Sequence, residues 1–260
     1  MEKFTRKFKR ALLNQDASFS DMYEDANLQN SSSEYLGYIG RHLTKVFGER
    51  RVTILDAGCQ AGRLLVPLAA DGHTVIGLDT SGFALRRAAK HARSYKSNVR
   101  FHRGDLSEIR RWVPASGLEV AICAEVLYLC PNYRQLLQLL LDSVKPGGLL
   151  CVSHRPAIYY VAKAMHAGKL DLASAMLSRG EGPSPDGTYH NWQTDAQLLE
   201  LYHALGADVL GRYPVDARSV EIIHDGEHDT AVQAQLAALP RQGMLAQVPA
   251  YTLVVAQRRA

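Results

Sequence analysis

No stretch of the 260-residue chain approaches the roughly 20 consecutive apolar residues needed to cross a bilayer. The charged N-terminal segment has no apolar run behind it to serve as an export signal. No membrane association is therefore expected, and a cytoplasmic location is. Cysteines are few: Cys59, Cys123, Cys130 and Cys151 lie in or beside apolar runs and lack the close paired spacing of a metal site. They read as buried reduced thiols, and no metal is expected. A strong excess of positive charge is also missing. The net charge of +4, with 10 histidines, does not imply a nucleic-acid partner.

What is present, 47% hydrophobic and 22% charged residues, belongs to a folded domain with one core, read as a single domain over 1–260. Residues 3–13 space Phe4, Phe8, Ala11 and Leu12 as a short basic amphipathic helix. Tyr35, Ile39, Leu43 and Val46 predict a second helix ending near Gly48, with Ser31, Ser32 or Ser33 as its cap. Together they form an N-terminal helical cap over 1–48. From 52 to 153, apolar strands at 52–55, 74–78, 99–102, 120–123 and 149–153 alternate with helices near 62–70, 82–93, 106–112 and 132–143. That alternation predicts a doubly wound α/β domain, a mostly parallel sheet with helices on both faces. Pro146-Gly147-Gly148 reads as a turn before the fifth strand. Beyond it come a helical stretch at 157–178, a Gly/Pro/Ser-rich loop expected to be mobile at 180–190, a helix at 194–205, a strand at 208–213, a helix near 229–238 and a final strand at 251–256.

The most informative segment is Ile54-Leu55-Asp56-Ala57-Gly58-Cys59-Gln60-Ala61-Gly62-Arg63, a strand entering a glycine-containing turn and a helix. Such a turn lets backbone N–H groups approach a ligand closely. A dinucleotide site would need Gly-x-Gly-x-x-Gly and would set pyrophosphate against the helix, where Asp56 repels it. A ligand carrying an ammonium and a sulfonium instead gains from a nearby anion. Asp79, at the end of the second strand, is placed to accept from ribose hydroxyls. Asp105, at the end of the third, is placed to accept from an adenine amino group while the Leu106 N–H donates to the ring. Each acid alone is often only a turn former or helix cap. Three at successive strand ends trace one nucleoside-shaped crevice.

These motifs resemble the class I S-adenosylmethionine-dependent methyltransferases, in the small-molecule branch, over about 54–153. Ile54 to Gly62 resembles the family's glycine-rich first motif, Asp79-Thr80 its ribose acid, Gly104-Asp105-Leu106 its adenine motif and Pro146-Gly147-Gly148 its turn before the fifth strand. Val120 to Leu127 resembles the fourth strand and its exit, where Ala124 and Glu125 would contact the methionine moiety. The resemblance implies S-adenosyl-L-methionine as cofactor, held by Asp56, Gly58, Gln60, Gly62, Asp79, Thr80, Asp105, Leu106, Ala124 and Glu125. It also implies seven strands in the order 3-2-1-4-5-7-6, the last antiparallel. Gln60 departs from the usual glycine, and Pro67 is unexpected inside the following helix.

Methyl transfer from a sulfonium needs an acceptor held in line, and a base only when that acceptor is protonated. The chain lacks the Pro-Cys pair of cytosine-C5 enzymes and the Asp/Asn-Pro-Pro-Tyr/Phe of base amino-methylators. Ala124-Glu125-Val126-Leu127-Tyr128 instead resembles small-molecule N- and O-methyltransferases. Glu125, Tyr128, His154, Arg155, Tyr159 and His190 are the groups expected near the methyl, with His154, Glu125 and His190 as catalytic candidates. Tyr160 reads as a core aromatic. The insertion at 156–190 and the N-terminal helices are expected to cover the site as a lid. A small-molecule acceptor is the expectation. An RNA or protein methyltransferase and a non-catalytic S-adenosylmethionine-binding protein are the alternatives, and the oligomeric state stays open.

Overall fold

A computed structural model describes residues 23–24, 26–166, 170–183, 188–221, 230–242 and 245–260. The basic helix expected at 3–13 lies outside them. In chain order the elements begin with helix α1 (Ala26–Phe47), β1 (Thr53–Ala57), α2 (Leu65–Ala70), β2 (Thr74–Asp79), α3 (Gly82–His91), β3 (Val99–Arg103) and β4 (Leu118–Cys123). They continue with α4 (Tyr133–Ser143), β5 (Val144–His154), α5 (Ala157–His166), α6 (Leu170–Arg179), β6 (Glu181–Pro183) and β7 (Tyr189–Asn191). The last are α7 (Asp195–Ala204), β8 (Ala207–Glu221), α8 (Thr230–Ala237), β9 (Arg241–Gln242) and β10 (Leu245–Arg258).

The main sheet runs β3-β2-β1-β4-β5-β10-β8, with β9 paired to β10. Counting only those seven strands, this is the 3-2-1-4-5-7-6 order, and β10 is antiparallel to both neighbours. Period-2 alternation divides the central strands between two cores. Ile54, Val120, Ile122, Leu149, Cys151, Leu253 and Val255 face α1 and α2. Leu55, Ala121, Cys123, Leu150, Val152, Val254 and Ala256 face α4 and α7. A strand buried on both faces shows no polar alternation, which is why these segments read as continuous apolar runs. Cys59, Cys123 and Cys151 are buried free thiols and Cys130 is half-buried. Burial pushes the Cys130 and Cys151 thiols up to about 12, so they pack as small hydrophobes.

Several boundaries differ from the sequence reading. The serines expected to cap the second helix sit inside α1, where Ser31 and Ser32 Oγ donate to Leu28 O and Ser33 Oγ to Gln29 O. This is the back-bonding that lets serine tolerate a helix interior. Helix α2 starts at Leu65 rather than 62, so Pro67 lies in its first turn, where proline's fixed φ is tolerated. The Pro146-Gly147-Gly148 turn is an excursion within β5: Leu118 pairs with Val144 but Val120 with Leu149. The segment 157–178 is two helices, and part of 180–190 is an antiparallel hairpin in which Gly182 pairs with His190. Strands β8 and β10 run far past 213 and before 251, pairing from Ala207↔Arg258 to Glu221↔Leu245. Pro214 and Pro249 and the polar run through Asp216, Arg218 and Ser219 hide this arm from any reading based on apolar runs.

The insertion has a core of its own. Val161, Met165, Met176 and Trp192 pack with Val232 and Leu236 of α8 and with Ala246 and Val248 of β10. Two side chains fix the hairpin: Trp192 Nε1 donates to Met176 O, and Asn191 Nδ2 donates to Leu127 O (2.8 Å) and Cys130 O (3.2 Å) in the turn after β4. Across the sheet, His154 at the end of β5 is 1% exposed and its Nε2 lies 2.9 Å from the Tyr202 hydroxyl of α7. Burial lowers its pKa to about 4, against a smaller opposing hydrogen bond to Gln193.

Asn191→Ala removes the donor from two backbone carbonyls and should cost about 1–3 kcal/mol, read by urea unfolding. A loss below the fitting error would assign the docking to the other contacts of the hairpin, those of Trp192 and His190. His154 titrates near about 6.5 when unfolded, so between that value and about 4 the unfolded chain binds more protons. The stability it confers is present above pH 6.5 and is lost as pH falls toward 4. The destabilisation by His154→Gln should therefore be larger at pH 7.5 than at pH 4.5, and equal values would contradict a buried neutral histidine.

Candidate active site

The carboxyl ends of β1, β2, β3 and β4 lie side by side, and ligands of open α/β sheets bind at such an edge. Strand β1 leaves the sheet through Gly58 (φ +80°), whose N–H donates to Leu78 O (2.7 Å). A Cβ on Gly58 would collide with Val126 Cγ2, so close packing against the β4 exit requires glycine. Gln60 occupies the left-handed region at φ +44°, the conformation for which the family's usual glycine is suited. Its N–H donates to Asp79 Oδ2 (2.9 Å), while Asp79 Oδ1 accepts from Ser81 N–H (2.8 Å). Asp79 thus clamps the first turn to the start of α3. A carboxylate has about four acceptor directions, so two backbone bonds leave capacity for hydroxyls.

Asp56 is buried at the end of β1. Burial raises its pKa to about 7 and the Asp79 charge adds to the rise, while Arg63 and the Leu65 backbone N–H pull it down. Arg63 itself is 8% exposed and pairs with Glu125 at 2.6 Å. Its other terminal nitrogen donates to Ser31 Oγ on α1 (3.2 Å). Glu125 is a second non-glycine residue at positive φ (+60°), held by its N–H donating to Ser153 Oγ (2.6 Å). Neither Arg63 nor Ser153 is marked by a motif reading. Arg63 stands in the first-motif segment, but its partner Glu125 lies 62 positions on, a pairing that only the fold creates.

Beside Glu125, aromatic rings gather around Arg155. The guanidinium lies 4.6 Å from the Tyr128 ring centroid, 4.3 Å from Tyr159 and 4.0 Å from Tyr251. Tyr251 comes from β10 and was not among the residues read from sequence. His190 stands edge-on to Tyr128 with centroids 5.2 Å apart, and its Nδ1 lies 2.5 Å from the Tyr160 hydroxyl. The structure therefore brings Glu125, Tyr128, Arg155, Tyr159 and His190 into one neighbourhood. Tyr160, read as core, is buried and also touches His190.

His154 is the correction. The last residue of β5, it points to the α7 side of the sheet, where it is buried against Tyr202 and held neutral. The chain leaves the strand there, and Arg155 turns to Tyr128, Tyr159 and Tyr251 while His154 stays against Tyr202. Asp105 caps the short 3-10 turn Leu106–Arg111, its Oδ1 accepting from Ser107 N–H (2.9 Å) and Oγ (2.6 Å). Thr80 contributes its carbonyl to Arg103 Nε (3.1 Å). Leu106 is buried and Ala124 half-buried at the crevice rim. An open groove between α1 and α2, near Arg50, Asp71 and His73, lies at the amino end of the strands, the wrong edge for a nucleoside. Among the described residues no three metal-ligating side chains cluster, and no helix is long and apolar enough to cross a membrane.

Comparison with known proteins agrees with this geometry. The methyltransferase domain family matches residues 49–192. A ubiquinone biosynthesis O-methyltransferase of Rickettsia canadensis is 27% identical over 171 residues, 65% of this chain and 67% of that protein. The chain spans about half the length of other O-methyltransferases of that name. Among solved structures, an S-adenosylmethionine-dependent methyltransferase from Mesorhizobium loti has a TM-score of 0.59 at 21% identity, covering 87% of this chain and 98% of that one. The 1,6-didemethyltoxoflavin-N1-methyltransferase of Burkholderia thailandensis, bound to S-adenosylhomocysteine, has a TM-score of 0.53 at 18% identity, covering 91% and 80%. The match over more than half of its length and the seven-stranded order place the chain in the methyltransferase domain family, with the class I fold of S-adenosylmethionine-dependent enzymes.

Proposed function

We propose that this protein binds S-adenosylmethionine at the carboxyl edge of β1, β2, β3 and β4 and transfers its methyl group to an oxygen or nitrogen of a small molecule. The observation that carries this reading is the set of three carboxylates, Asp56, Asp79 and Glu125, around a glycine-containing first turn in a chain of this family. Asp79 is the standing negative charge of this floor, and a bound ammonium or sulfonium would favour the ionised form of Asp56, whose pKa without one is about 7, whereas a pyrophosphate would not. Asp79 is the ribose acceptor, Asp105 and Leu106 frame the adenine, and Gly58, Gln60, Gly62 and Ala124 let the backbone approach the ligand. Glu125, fixed by Arg63, faces the methionyl end.

When bound, the cofactor supplies an electrophilic methyl. The acceptor lone pair forms the new bond, the sulfonium carbon–sulfur pair returns to sulfur, and a hydroxyl acceptor gives up its proton. His190 is the proposed proton acceptor: its ring borders Tyr128, its Nδ1 meets the Tyr160 hydroxyl, and the acceptor hydroxyl would take the place of Thr188 Oγ1, 3.3 Å from its Nε2. The hairpin and α5 are the cover, positioned by Asn191 and sharing a core with α8. Relatives named for both O- and N1-methylation support either acceptor atom.

Calorimetry should show binding of S-adenosylhomocysteine and none of NAD; the reverse pattern would overturn the reading. Asp79→Ala should weaken S-adenosylhomocysteine binding by about 1.5–3 kcal/mol, the range for hydrogen bonds to a charged group. Unchanged affinity in a folded variant would remove Asp79 from the ribose role.

A further inference from the structure

The protein has two arginines that are 8% exposed near the crevice, and it treats them differently. Arg63 is neutralised by Glu125 at 2.6 Å. Arg155 has no carboxylate within ion-pair distance among the described residues. Its Nη1 donates to Ala250 O (2.9 Å) and its Nη2 to the Tyr251 hydroxyl (2.9 Å), while Nε is buried and has no hydrogen-bond partner among the described residues. Burying a cation without a counter-ion is costly. The faces of Tyr128, Tyr159 and Tyr251 offset part of that cost through their negative π clouds, but they leave the net charge in place.

We propose that Arg155 anchors an anionic group of the methyl acceptor, and that the acceptor class is a small aromatic carboxylate. This deepens the methyltransferase reading and rests on it. A guanidinium is a planar fork that matches a carboxylate in two parallel bonds. One cation balances one negative charge, which suits a carboxylate better than a phosphate dianion. The walls are rings, so a flat aromatic body can stack or stand edge-on against Tyr128 and Tyr159, with His190 edge-on to Tyr128. The site adjoins the proposed methyl position, because Tyr128 follows Glu125 by three residues and its ring lies 5.7 Å from that of Tyr251. Arg155 is thus a specificity-determining residue: it selects acceptors by charge and takes no proton.

The test uses the full chain saturated with S-adenosylhomocysteine and titrated by calorimetry with benzoate, salicylate and 3,4-dihydroxybenzoate, each beside its neutral primary amide. At least one acid should bind tenfold or more tighter than its amide. That preference should vanish in Arg155→Gln and survive in part in Arg155→Lys, with S-adenosylhomocysteine affinity within threefold of wild type in both. If no acid exceeds its amide by threefold in the wild-type protein, the proposal is overturned. A tenfold loss of S-adenosylhomocysteine binding in Arg155→Gln would also overturn it, by assigning the arginine to the cofactor's own carboxylate. Should Arg155→Gln not fold, the wild-type acid-to-amide ratio and its change in Arg155→Lys decide. Failure of the wild-type protein to bind S-adenosylhomocysteine would instead sink the methyltransferase reading itself.

Discussion

The crevice depends on one buried cation. Arg63 belongs to the first turn, reaches Ser31 on α1 and pairs with Glu125 at the exit of β4, so a single guanidinium ties three separate parts of the chain. Removing two charges from water costs several kcal/mol for each, and the attraction between them offsets this only when the geometry is good and other bonds are satisfied. Without Arg63, Glu125 would stand uncompensated near Asp56 and Asp79. An acid-rich floor is therefore compatible with folding because its counter-charge is built into the same turn. Arg63 also opposes the rise that burial imposes on Asp56, so part of that carboxyl's ionisation is set by the same side chain.

Two of the left-handed non-glycine residues, Gln60 and Glu125, border the crevice and show a matching economy. A side chain in that region is strained, by an amount on the order of 1–3 kcal/mol, and persists only where the surroundings over-determine it. Gln60 is held by its N–H on Asp79, and Glu125 by its N–H on Ser153. Each strained residue thus lies at the end of a strand and is fixed by a side chain from the neighbouring strand. Pre-organised loops on a rigid sheet can meet a ligand without first paying to order themselves.

The central sheet was legible because burial on both faces writes itself as apolar runs, and the first motif was legible because glycine and aspartate at a strand end carry specific backbone chemistry. Three things were not. The parts of β8 beyond 213 and of β10 before 251 carry prolines and polar residues, so these extensions left no apolar signature. The role of His154 turned on which side of β5 it faces, a parity that shifts with each residue of uncertainty in the strand start. The aromatic enclosure of Arg155 draws on residues from 128 to 251, and no local spacing can foretell a contact made by the final strand. Asp105 stands just beyond β3, and its bonds to Ser107 are those of the turn-capping role that an aspartate at a strand end often has.

Strand β10 has a consequence for the order in which the molecule can assemble. It lies between β5 and β8, pairing Thr252 to Gln257 with residues about a hundred positions earlier. Its first residues also complete the small core beneath the insertion. Strand β8 has no edge of the sheet to join until β10 is seated, so β8 and β10 gain their place through one long-range closure. Loop closure of that span is entropically costly, and contacts of high sequence separation slow folding. The closure that seats β10 is also what brings Ala250 and Tyr251 to Arg155, so the enclosure of that guanidinium cannot form without it.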